Sequence, residues 1–99
     1  MKKIFTGDVH FTEDFTLYTD VTVLGNFYAN GNVHVNSLHV EGDIHLESSD
    51  INNPPCINTF CIHCKGKIFA RNYIFKVDNL HAMKGREIIN DGPVIEHTP

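Results

Sequence analysis

Counted from Gly7, the chain repeats every six residues. Each unit opens on a turn-forming residue, usually with Asp or Asn beside it, and closes on an apolar–x–apolar pair: Val9/Phe11, Phe15/Leu17, Val21/Val23, Phe27/Ala29 and Val33/Val35. One residue is then dropped, and the rhythm continues through Leu38/Val40 and Ile44/Leu46. It blurs over 47–60 and returns with Ile62/Cys64, Ile68/Ala70, Ile74 and Leu80/Ala82. Alternation at period two buries one face of a short strand. Apolar residues at i, i+2, i+6 and i+8 trace no stripe on a helix. Strands of about three residues are too short for a hairpin meander, whose strands run to about five or six. Three such strands with bends between them make one coil of about 18 residues, and coils stack as parallel strands about 4.8 Å apart. The period therefore predicts an all-β fold, a three-faced parallel β-helix (solenoid) of about five coils. A sandwich or barrel of short strands is the competing arrangement. Residues 1–99 make a single domain, with an irregular loop over about 47–61 around Pro54-Pro55 and a C-terminal cap over 83–99.

Between the apolar pairs stand Gly7-Asp8, Asp14, Asp20, Gly25-Asn26, Gly31-Asn32, Asn36-Ser37, Gly42-Asp43, Gly66 and Asn72. These types accept positive φ or bond their own backbone in a bend. At about 18 residues per coil, the inward columns read Val9, Phe27, Ile44, Ile62, Leu80 and Phe11, Ala29, Leu46, Cys64, Ala82. The outward position of the first face reads His10, Tyr28, His45, His63, His81. Such a His ladder suits a metal or anion site, a pH-sensitive surface, or simply a solvent-facing strand face. The other outward columns read Thr16, His34, Ile51, Phe69 and Thr22, His39, Ile57, Phe75. Ile51, Ile57, Phe69 and Phe75 are thus expected to form an apolar lateral interface, unless a local slip turns Ile51 or Phe75 inward or the loop folds over them.

Eight Lys and Arg against twelve Asp and Glu give a net charge of −4, the wrong sign for a nucleic-acid partner. No apolar run approaches a membrane span. No charged-then-apolar leader follows Met1-Lys2-Lys3, and three cysteines suit a reducing compartment better than a disulfide framework, so a cytoplasmic location is expected. Cys56, Cys61 and Cys64, with His63 between the last two, invite a zinc reading, but no second spaced pair accompanies them. Buried cysteine is also a common small hydrophobe. The chain carries no G-x-S-x-G, no phosphate-cradling glycine loop and no H-E-x-x-H. The aspartates recur at bends, where they are turn-formers. No catalytic residue, no cofactor and no enzymatic activity are expected.

The units G-D-V-H-F, G-N-F-Y-A, G-N-V-H-V and V-E-G-D-I-H-L resemble the repeat of bactofilins, a family of bacterial polymer-forming cytoskeletal proteins, well over residues 7–46 and loosely over 62–82. The resemblance implies a right-handed winding, end-to-end assembly into non-polar filaments without nucleotide or metal, and a scaffolding role, often at a membrane surface. Handedness and membrane attachment come from the resemblance alone. A physical argument stands beside it: a solenoid ends in sheet edges that must be capped or paired. Phe5 at one end, and Ile88 and Val94 at the other, are the expected self-association residues, giving a dimer or a filament. The expectation is a non-enzymatic, self-associating β-helix scaffold. The alternative is a small protein-binding or inhibitory module, of phage or mobile-element origin, that docks on one protein partner.

Overall fold

The computed structural model describes residues 2–50, 52–82, 86–89 and 95–96, the side chains as far as residue 79. Eleven strands follow one another: β1 (Lys2–Phe5), β2 (Val9–Phe11), β3 (Phe15–Val23), β4 (Phe27–Ala29), β5 (Val33–Val40), β6 (Ile44–Glu47), β7 (Cys56–Cys64), β8 (Ile68–Arg71), β9 (Ile74–Ala82), β10 (Arg86–Ile89) and β11 (Ile95–Glu96). Odd-numbered strands form a six-stranded sheet in the order β1-β3-β5-β7-β9-β11, and even-numbered strands a five-stranded sheet in the order β10-β8-β6-β4-β2. Every pairing is parallel. The fold is all-β, and the chain passes from one sheet to the other at each step.

The apolar pairs lie where alternation puts them. Val21, Val23, Phe27, Val33, Val35, Leu38, Val40, Ile44 and Leu46 are buried, and residues of both sheets join in one core. Full burial of each such side chain is worth about 1.5–3 kcal/mol. The residue dropped after Val35 appears as a register shift between Leu17 and Asp20 where β3 pairs with β5. Tyr18 and Thr19 there oppose one residue, Asn36, as in a β-bulge, with Tyr18 thrown outward and Thr19 buried. Alternation also breaks in β5 and β7, where Asn36-Ser37 and Phe60-Cys61 put two successive residues on the outer side.

The bends work differently from the sequence expectation. Asx side chains at the bends bond the backbone of the next repeat, not their own. Asp8 Oδ1 accepts from the Asn26 amide at 2.7 Å, 18 residues on. Asn26 Oδ1 accepts from the Asp43 amide at 2.8 Å, 17 residues on. Asp43 Oδ1 accepts from the Lys67 amide at 2.8 Å, 24 residues on. A second bend repeats the pattern, from Asp14 to the Asn32 amide at 2.9 Å and from Asn32 to the Cys56 amide at 2.8 Å. Backbone amides also stack through the first bend, Gly42 donating to Gly25 and Gly66 to Gly42, both at 3.0 Å. Glycine is required here by that close approach. At Gly66 a Cβ would fall against the Asp43 carboxylate and 2.6 Å from the Gly42 carbonyl oxygen. The left-handed backbone anticipated at bends is found at Asn72, with φ 57°.

The interval of 24 residues is what the period could not foresee. It arises because β6 ends at Glu47 and β7 begins only at Cys56. The irregular stretch is therefore shorter than the 47–61 expected from sequence, and alternation resumes at Cys56 with Ile57 and Thr59 buried. The excursion is tied down at several points. Asp50 N donates to Ser48 Oγ, Asn53 N to Asp50 Oδ1, Asn72 Nδ2 to the Asp50 carbonyl, and Ile74 N to the Pro55 carbonyl. Tyr73, fully buried, donates its hydroxyl to the Gly31 carbonyl. Two expected columns change as a result. Ile44 stands beside Ile68, not Ile62, and Leu46 beside Ala70, not Cys64. Ile62 stands between Leu38 and Leu80, and Cys64 between Val40 and Ala82.

Candidate functional site

In-register parallel strands place like positions side by side, and outward rings stack accordingly. On the five-stranded sheet His10 stacks on Tyr28 (4.3 Å between ring centroids), Tyr28 on His45 (4.7 Å) and His45 on Phe69 (4.8 Å). The first three members are those read from the sequence. The fourth is a correction: the 24-residue interval brings Phe69, not His63, beside His45. His63 belongs to the six-stranded sheet, where its register neighbours are His39 and His81. The single ladder expected from the sequence is thus two columns, His10–Tyr28–His45–Phe69 and Thr22–His39–His63–His81.

Beside the first column runs an open cleft of about 620 Å³. It is lined by His10, Tyr28, His45 and Glu47 of the sheet and by Ser48 and Asp50, which follow β6. The stacked faces of Tyr28 and His45 are covered by their neighbours, so their edges are what the cleft presents.

The expected lateral patch does not form. Ile57 and Phe75 are fully buried core residues, because resumption of alternation at Cys56 reverses the frame that would have turned them outward. Phe69 is half-buried on the outer side, one face held by His45. Ile51 lies outside the described residues. Among the described residues the exposed large apolar side chains are instead Ile4, Tyr18, Leu24 and Phe60.

The cysteines do not converge. Cys56 and Cys64 open and close the nine-residue β7, and among the described residues no group of three or more His, Cys, Asp or Glu side chains is placed to hold a metal ion. Cys64 is buried, its thiol directed at the Gly42 carbonyl at 3.2 Å. Burial pushes that thiol up from its ordinary 9.0, with nearby Asp43 acting in the same direction. Cys56 is half-buried on the outer side of β7. Native protein treated with a thiol-exchange reagent at pH 8 is expected to modify Cys56 and Cys61 and spare Cys64, all three reacting in denaturant. Thiolate supply governs the reaction, and mass mapping reads it. Cys64 reacting as fast as Cys61 in native buffer would contradict the burial argument.

At the amino-terminal end β1 and β2 are edge strands of their sheets. Phe5, Val9, Phe11, Phe15 and Leu17 pack on the core but remain partly open. Their register partners Val23, Phe27, Ala29, Val33 and Val35 are almost wholly covered. Three of the open residues form a ring cluster, Phe5 edge-on to Phe11 at 6.0 Å and Phe11 stacked on Phe15 at 4.1 Å. At the other end Ile88 pairs in backbone register with Ala70, its side chain lying outside the described residues, as does Val94. Sequence reasoning named Phe5 and missed Phe11 and Phe15 as end residues, although their place in the first repeat was a sufficient signal. It also missed the bond from Asn72 to the Asp50 carbonyl and the burial of Tyr73, for which no local pattern exists. No helix among the described residues is long and apolar enough to cross a membrane. The chain matches no protein-family model, no curated protein and no solved structure.

Proposed function

We propose that the chain winds as a right-handed, three-faced β-helix and serves as a non-enzymatic scaffold that associates with copies of itself through its ends, as the resemblance to bactofilins implies. The observation that carries this reading is the open apolar layer of Phe5, Phe11 and Phe15 beside two edge strands. An edge strand presents unpaired amides and carbonyls, and repeat proteins that remain monomeric close such an end with a polar cap. Among the described residues the layer at this end is aromatic. Lys2 and Lys3 on β1 supply charge beside it, a device against indiscriminate pairing, so the Phe layer selects the partner. Two further features support the winding. The chain visits the two sheets alternately with all strands parallel, and alternation in the longer strands breaks midway, at Asn36-Ser37 and Phe60-Cys61, where a corner between two faces would fall.

Sedimentation velocity and negative-stain microscopy test the proposal. The native chain is expected to run as a dimer or a longer assembly, and Phe11→Arg to shift it toward monomer while leaving its far-UV spectrum unchanged. A native chain that stays monomeric as its concentration rises through the micromolar range excludes self-association through this end.

A further inference from the structure

We propose that His39 and His63 anchor a site for a divalent transition-metal ion of the kind imidazole prefers, Zn²⁺, Ni²⁺ or Cu²⁺. The two residues are direct register partners on β5 and β7. His39 is exposed and His63 half-buried, both on the outer side of the sheet. Their rings lie 4.6 Å apart at 23°. Two imidazole nitrogens bound to one tetrahedral ion at about 2.0–2.1 Å stand about 3.4 Å apart. In this arrangement the rings stack face to face and their in-plane lone pairs do not converge, so rotation of the exposed His39 about its side-chain torsions is what brings its nitrogen and that of His63 onto one ion. Neutral imidazole is the ligand form, and it binds the later first-row divalent ions better than oxygen donors do.

The other described histidines lack this arrangement. His10 and His45 are separated by the Tyr28 ring, and His34 meets Tyr18 edge-on and pairs in register with Thr16 and Asn58. Around the His39/His63 pair, Ser37 and Cys61 stand two residues earlier on the same outer side, and the Glu41–Lys65 ion pair closes the other flank at 3.0 Å. His81 follows His63 in backbone register. The site is a two-imidazole anchor whose remaining positions fall to water or to Cys61. The inference rests on strand register and is independent of self-association.

Isothermal titration of the reduced chain with Ni²⁺ and with Zn²⁺, in a non-coordinating buffer near pH 7.5, tests it. One ion per chain is expected, with His39→Asn and His63→Asn each weakening binding at least about tenfold, or about 1.4 kcal/mol. His45→Asn is the control and is expected to leave binding intact. Imidazole NMR signals of the native chain should move on titration at His39 and His63 and stay put at His10 and His45, a readout that does not depend on any variant folding. Cys61→Ser separates the alternatives: binding lost there and retained in both His39→Asn and His63→Asn would assign the ion to the thiol and overturn the proposal. So would the absence of a heat signal and of imidazole shifts at about 1 mM ion.

Discussion

Gly66→Ala is expected to destabilise the chain by about 3 kcal/mol, lowering its melting temperature by more than about 10 °C. Gly66 donates its amide to the Gly42 carbonyl at 3.0 Å and sits directly over the Asp43 carboxylate, which accepts from the Lys67 amide at 2.8 Å. A methyl group there meets backbone on one side and a committed hydrogen-bond acceptor on the other. To make room, either the Gly42–Gly66 spacing opens or Asp43 turns away. The second choice leaves an amide unpaired, at a cost of about 1–3 kcal/mol. The matching control is Gly7→Ala. Gly7 holds the same place in the first repeat, and a Cβ there meets nothing within 4 Å, so the change should stay within about 0.5 kcal/mol. Thermal unfolding of the two variants reads the difference directly. Equal melting temperatures would show that the bends do not stack as described.

Tyr73→Ala carries the second large effect, a loss of about 3–5 kcal/mol, because it empties a wholly enclosed aromatic site. Tyr73→Phe keeps the ring and removes the hydroxyl that donates to the Gly31 carbonyl, which should cost about 1 kcal/mol. The same hydroxyl gives stability a pH dependence. Burial, with Asp14 and Cys56 nearby adding to it, pushes the phenol well above its ordinary 10.0. The folded state therefore holds this proton more tightly than the unfolded chain does. Its contribution is fully present below pH 10, and stability falls as pH rises beyond that value. Urea unfolding between pH 8 and 11 should show the native chain losing stability above pH 10 and Tyr73→Phe losing measurably less. Parallel curves for the two would mean that Tyr73 ionises as readily folded as unfolded.

The effect of Tyr73 is of a kind that the period alone does not disclose. A six-residue rhythm reports local alternation, so it identified the inward residues from Val9 to Leu46 and even the residue dropped after Val35, which the chain absorbs as a bulge opposite Asn36. The three-residue strands expected there are in part joined, Phe15–Val23 and Val33–Val40 each running through two units. It likewise placed His10, Tyr28 and His45 in one outward column, since those residues precede any irregular stretch. The reading went astray after Glu47. There the count of residues between paired strands depends on how far the chain departs before it returns, and that distance is set by contacts between residues remote in sequence. Asn72 reaches the Asp50 carbonyl and Tyr73 reaches Gly31, 22 and 42 residues away. A displacement of one repeat moved His63 from the company of His45 to that of His39. The altered frame after the loop turned Ile57 and Phe75 from surface to core.

The amino-acid pattern by itself determined that this chain forms parallel-stacking strands with one apolar side, because alternation at period two and recurring bend residues act within a few positions of one another. The folded molecule alone decided which strands lie beside which past residue 47, why glycine and Asx share the bends, and which histidines meet. Those are matters of register, and register is fixed by the depth to which side chains such as Tyr73 sink into a core assembled from the whole chain.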